Sequence, residues 1–118
     1  MSTPIRIQKY DKYTVVEITT SSLMDPLVLD AVGKELYHMI DMEDRRQVIL
    51  DFEKVQYISS QAIGIQLQMK KKLDSLPRSA FILCSVGPSV LSLLKIVRLD
   101  RMLTIKKSQA EAVKQFQG

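Results

Sequence analysis

The sequence has almost no cysteine: Cys84 is the only one among 118 residues. A single cysteine excludes a disulfide within the chain. Because the thiol lies inside the apolar run Phe81–Cys84, we expect it to behave as a small buried hydrophobe. No second cysteine or neighbouring motif indicates a redox role. Folds that depend on disulfide bonds are therefore excluded.

Long apolar runs are missing as well. No segment approaches the ~18 unbroken apolar residues that a membrane helix needs. The first residues, Met1 to Arg6, turn polar and charged at once, unlike a signal peptide. We therefore expect a cytoplasmic protein without a membrane partner.

Aromatic residues are scarce, at 6% of the chain with no tryptophan, although the net charge is +4. The densest basic run, Lys70–Lys72, lies within a helical pattern, and aromatics do not interleave with the other cations. Proteins that read RNA or single strands usually add stacking aromatics to their cations. We therefore interpret the basic residues as a solvated surface, with a weak phosphate-backbone patch as the alternative, and expect no direct nucleic-acid partner.

The residue sets that carry catalysis or hold metals are also absent. Asp25, Asp51 and Asp100 are spread along the chain without a partner at the spacing of an acid–base pair. His38 has no companion for a metal site. The segment 87–89 lacks the glycine series and lysine of a phosphate loop. We predict no enzyme activity, no metal and no cofactor.

What the sequence does contain is a regular alternation of strand and helix patterns. With 46% hydrophobic and 25% charged residues, it has the composition of one globular α/β domain, which we place at residues 1–118. Repeated βα units predict right-handed crossovers and a mixed, mainly parallel sheet of about five strands with about four helices. The predicted elements are strands at 5–7 and 13–18, a helix at about 27–42, a strand at 47–52, a helix at 61–74, a strand at 80–84, a helix at 88–97, a strand at 103–105 and a helix at 108–116.

Three segments resemble the STAS domain of anti-sigma-factor antagonists. The apolar strand 48–52 leads to Ser59-Ser60 at a helix start, similar to the family's strand followed by Asp-Ser. The segment 99–105 resembles the family's Leu-Asp-Arg-apolar-Phe-x-Ile, and 108–113 is like its closing helix. The resemblance extends over nearly the whole chain. It implies a STAS fold and a bacterial signal-transduction protein, a monomer or weak homodimer, that binds an anti-sigma factor or serine kinase and so regulates transcription.

The resemblance also implies a phosphorylation switch. Antagonists of this family carry a serine that the anti-sigma kinase phosphorylates, which releases the complex, and this serine corresponds to Ser60. Ser59 is the alternative acceptor. A hydroxyl at a helix start points outward near unpaired N–H groups and the positive end of the helix dipole, so its own domain tolerates a phosphate there. Within an interface the added charge would have to be desolvated.

Two departures from the family pattern leave other interpretations open. Ser59 stands where the family has an acidic residue, and Ala62 stands where it has a glycine. Either serine could act only as a helix cap, and the domain could then be a constitutive, non-phosphorylated scaffold or a ligand-binding module in a larger signalling complex. Met24 and Met69 are candidates for the border of the recognition face. The expected partner contacts are Asp25, which is also a candidate turn or cap residue, Ser59, Ser60, Gln61 and Ile63.

Overall fold

The computed structural model describes residues 3–116, so the two residues at each end of the predicted domain lie outside the described residues. A short 3₁₀ turn, Leu99–Arg101, precedes the last strand. The predicted elements are confirmed, with ends shifted by two residues at most, as is usual for helix and strand ends. The elements are β1 (Ile5–Lys9), β2 (Thr14–Ile18), β3 (Ser22–Leu23), α1 (Pro26–Asp41), β4 (Gln47–Asp51), β5 (Tyr57–Ile58), α2 (Ser60–Asp74), β6 (Ala80–Cys84), α3 (Pro88–Ile96), β7 (Thr104–Lys106) and α4 (Gln109–Lys114).

Five strands form the main sheet in the order β1-β2-β4-β6-β7. β1 and β2 make an antiparallel hairpin, and every other neighbouring pair is parallel. Each parallel connection passes through one helix, and right-handed crossovers in one direction place those helices on the same face. The carboxyl ends of β2, β4 and β6 therefore share one end of the sheet, which we call the upper end.

Side chains of successive strand residues pack against different helices. On β4, Val48 and Leu50 belong to the main core beneath α1, α2 and α3. Ile49, between them, faces the opposite layer with Cys84 of β6 and Ala112 of α4. Both faces of the sheet are thus covered, which explains why β4 and β6 are continuous apolar runs. The prediction that Cys84 is buried is confirmed.

α1 begins and packs as its sequence predicts. The Asp25 carboxylate caps the helix by accepting a hydrogen bond from the Leu27 N–H at 3.0 Å, and Pro26 fits the first turn because its missing N–H needs no partner there. The predicted apolar stripe, Leu29, Val32, Leu36 and Ile40, is fully buried. No helix in the described range is both long and apolar enough to span a membrane.

Candidate partner-binding site at the start of α2

The starts of α1 and α2 are held together by a small parallel pair, β3 with β5. The Ser59 N–H donates to the Leu23 carbonyl at 3.1 Å, and the Gln56 and Tyr57 N–H groups share the Ser21 carbonyl. Sequence reasoning missed this pair because two-residue strands carry no periodicity. The consequence is that the loop before Asp25 and the loop before Ser60 form one surface at the upper end of the sheet.

Ser59 and Ser60 have different roles at the start of α2. Ser59 is the N-cap: its backbone is extended, and its Oγ accepts a hydrogen bond from the Ala62 N–H at 3.3 Å. Ser60 is the first helical residue and is exposed, and no hydrogen bond of its hydroxyl occurs among residues 3–116. The sequence left open which serine caps the helix, and the geometry assigns the cap to Ser59.

The helix dipole at the start of α2 favours an anion at Ser60. The first turn of α2 contains no acidic residue, whereas its last turn carries Lys71 and Lys72. The first N–H groups of a helix lack partners within that helix and form the positive end of its dipole. A phosphate on Ser60 would therefore meet a favourable local field in the free protein.

Gln61 links the two helices. Its Nε2 donates to Asp30 Oδ1 at 2.8 Å and to the Pro26 carbonyl at 3.4 Å. Ile63, two residues further along α2, is half-buried and packs against the main core. Both residues thus hold the site in place, and their contact with a partner remains a prediction.

Three large apolar side chains are exposed on the segments that meet here: Leu27 at 75%, Tyr57 at 59% and Met24 at 50%. Leu27 was not singled out from the sequence, although its position off the buried stripe of α1 is a signal that could have found it. The prediction that Met69 borders this face is wrong. Met69 is fully buried, because it lies on the sheet-facing side of α2 with Ile65.

The site has no metal-binding character in the described structure. Among residues 3–116 no group of three or more His, Cys, Asp or Glu side chains could hold a metal ion.

The buried Asp51 accepts hydrogen bonds from Gln109 Nε2 at 2.8 Å and from the Glu53 N–H at 2.9 Å. This carboxylate therefore ties α4 to the end of β4.

The sheet order and helix placement define an α/β domain of the kind found in anti-sigma-factor antagonists. The sequence model of the STAS domain matches residues 5–112, and the chain belongs to the STAS domain family. No protein of curated function matches the sequence.

Several solved structures share this fold. An anti-sigma-factor antagonist (STAS) domain protein from Planctomyces limnophilus has a TM-score of 0.85 at 19% identity, over 98% of this chain and 99% of that one. An anti-sigma factor antagonist from Mycobacterium paratuberculosis gives 0.83 at 15%, over 97% and 93%. The phosphorylated form of the Bacillus cell fate determinant SpoIIAA gives 0.75 at 15%, over 94% and 97%. At these identities the likeness shows the fold.

Proposed function

We propose that this protein is a cytoplasmic anti-sigma-factor antagonist that binds an anti-sigma factor with serine-kinase activity and releases it when Ser60 is phosphorylated. The observation that carries the proposal is the exposed hydroxyl of Ser60, which has no hydrogen bond within residues 3–116, beside a cap that Ser59 already supplies. Because Ser59 makes the cap, a modification of Ser60 leaves the helix start intact. The partner surface comprises Asp25, Ser59, Ser60, Gln61 and Ile63, together with the exposed Met24, Leu27 and Tyr57.

The switch follows from where the phosphate would lie in each state. In the free protein the phosphate, with about −1.5 to −2 charges, stays in water at the positive end of α2. In the complex, the exposed Leu27 and Tyr57 would be buried against the partner, and the phosphate would lose water beside them. The phosphate is therefore more stable in the free protein than in the complex, and this difference favours release of the partner. The kinase supplies the nucleotide and most of the catalytic groups, so this chain needs only to present its hydroxyl.

One observation favours a second candidate, a constitutive scaffold or ligand-binding module. Ser59 replaces the family's acidic residue, and the first turn of α2 has no carboxylate that could orient the Ser60 hydroxyl. In that role the domain would bind its partners in a larger complex whatever the state of Ser60.

Affinity capture from extracts of the native cells distinguishes the two candidates. The baits are the wild type, Ser60→Ala, Ser60→Asp and a charge-matched variant, Ser59→Asp, whose aspartate can still cap the helix and restores the acidic residue that the family has at this position. We expect a kinase-type anti-sigma factor on every bait except Ser60→Asp. Mass spectrometry of the native protein should find phosphate on Ser60.

Each other pattern has a defined meaning. If all four baits capture the same partners, the constitutive scaffold is correct. If Ser59→Asp loses the kinase and Ser60→Asp retains it, Ser59 is the acceptor. If both serines stay unmodified in cells under every stress applied, the switch is wrong.

A further inference from the structure

α1 and α2 lie side by side with a constant register. Near their starts Gln61 bonds to Asp30, and near their ends Lys72 bonds to Asp41 at 2.6 Å. In both pairs the two residues are 31 positions apart. The same offset places Gly64 of α2 opposite Gly33 of α1, since 64 − 33 is also 31.

A groove of about 440 Å³ opens between the helices at this level. Neither glycine contributes a side chain to it. Its apolar lining consists of Tyr37 and of the buried Leu29 and Ile65. Asp30, Lys34 and Gln61 supply its polar lining. The groove therefore offers both apolar and polar contacts between the two helices.

The contacts within this chain do not explain why residue 64 is a glycine. It is exposed in the second turn of α2, inside the helix, where glycine is destabilising relative to alanine. A Cβ added to Gly64 meets nothing within 4 Å, whereas one added to Gly33 meets Ile65 and Tyr37 at 3.5 Å. Nothing within the described fold requires a glycine at position 64. A group from outside that approaches the helix backbone closely would require it.

The charges beside the groove indicate what that group carries. The Asp30 carboxylate already accepts from Gln61, whereas Lys34 has no hydrogen bond or ion pair among residues 3–116. An acidic residue on the occupant would complement Lys34. Ser60 lies one turn before Gly64 on the exposed side of α2, so an occupant of the groove passes beside it.

We infer that a segment of the partner lies in this groove, places a large apolar side chain beside Gly64 and Tyr37, and directs an acidic residue at Lys34. The inference rests on the proposed function, because the occupant belongs to the same anti-sigma factor. The inference also gives a phosphate on Ser60 a second effect: it would repel the acidic residue of the partner as well as resist desolvation.

The test is a calorimetric titration with the purified anti-sigma factor that the wild-type bait recovers. Gly64→Leu fills the groove and should weaken binding by about tenfold, because overpacking a close contact typically costs the equivalent of roughly fivefold to a hundredfold in affinity. Gly64→Ala should weaken binding less while leaving the melting temperature equal to or above that of the wild type. Ser92→Leu, a leucine on the exposed side of α3, is the matched control and should bind normally.

Reversing the charge of Lys34 tests its proposed contact with an acidic residue of the partner. Lys34→Glu should weaken binding at low salt, and the loss should shrink as salt is raised, because screening weakens the new repulsion. A loss that does not change with salt would overturn the acidic contact.

The outcomes separate the groove from the switch. If Gly64→Leu loses binding and Ser60→Asp retains it, the groove is supported and the switch is rejected. If Gly64→Leu binds normally and Ser60→Asp loses binding, the switch is supported and the groove is rejected. Normal binding by a folded Gly64→Leu overturns the groove, as does a wild-type bait that recovers no anti-sigma factor. If Gly64→Leu does not fold, Gly64→Ala decides by the same criterion.

Discussion

At the scale of single residues, Gln66 is a polar side chain in an apolar layer. It is 2% exposed, its Nε2 makes only a long 3.4 Å bond to the Ala62 carbonyl, and its Oε1 has no partner among residues 3–116. A cavity of about 20 Å³ with apolar walls, including Leu50 and Phe52, lies beside it. A buried amide oxygen without a hydrogen bond costs about 1–3 kcal/mol.

Replacing Gln66 by leucine should therefore stabilise the protein. We expect Gln66→Leu to raise the free energy of unfolding by about 1–3 kcal/mol in urea titrations, because the leucine needs no hydrogen bond. Gln68→Leu, on the exposed side of the same helix, is the control and should change stability by less than about 0.5 kcal/mol. If Gln66→Leu is destabilised, the amide oxygen is hydrogen-bonded in solution, and a single water would fit the cavity.

At the scale of elements, we expect the two serines at the start of α2 to differ in their contribution to stability. Ser59→Ala removes the cap and should lower the free energy of unfolding by about 1 kcal/mol. Ser60→Ala should be nearly neutral, and Ser60→Asp should gain about 0.3–1 kcal/mol, because a negative charge meets the helix dipole. Thermal and urea unfolding of the three variants measure these differences.

The expected order of stability among these variants matters for the capture experiment. If Ser60→Asp is at least as stable as the wild type, its failure to bind cannot be attributed to unfolding. A larger loss for Ser60→Ala than for Ser59→Ala would show that Ser60 is the cap in solution, and phosphorylation would then damage the helix itself.

At the scale of the whole molecule, the large elements were predictable because each carries a long signal. The stripe from Leu29 to Ile40 repeats over three turns, and β4 and β6 are unbroken apolar runs between polar loops. The pair of β3 with β5 was not predictable, since its existence depends on packing between distant loops. Met69 was misplaced because an apolar residue on a helix with several apolar faces does not reveal which face meets the sheet.

The candidate site was predictable only in part, because its geometry depends on contacts between segments that are distant in the sequence. The sequence places Ser59 and Ser60 at a helix start, but the choice of cap depends on the Ser59 backbone, which the Leu23 carbonyl holds in place. The juxtaposition of Gly33 and Gly64 depends on the register of two packed helices. Neither segment contains that information alone.

Cys84 couples the stability of the whole fold to pH. It lies between the sheet and α4, in the smaller core layer with Ala112. Burial, together with the nearby Asp51 charge, raises the pKa of the Cys84 thiol from 9.0 to about 12. In the unfolded chain the pKa returns to its ordinary value, so the folded state holds the proton more tightly.

The folded state should therefore lose stability in alkali. As the pH rises from about 9 towards 12, the unfolded chain releases the thiol proton while the folded chain keeps it, and the free energy of unfolding falls by up to about 1.4 kcal/mol per pH unit. Tyrosines and lysines titrate in the same range, so the informative quantity is the difference between urea unfolding of the wild type and of Cys84→Ala. We expect that difference to shrink steadily above about pH 9, because only the wild type carries the thiol. Parallel pH profiles would mean that the thiol reaches water in the native state, and α4 would then not cover the sheet as the structure describes.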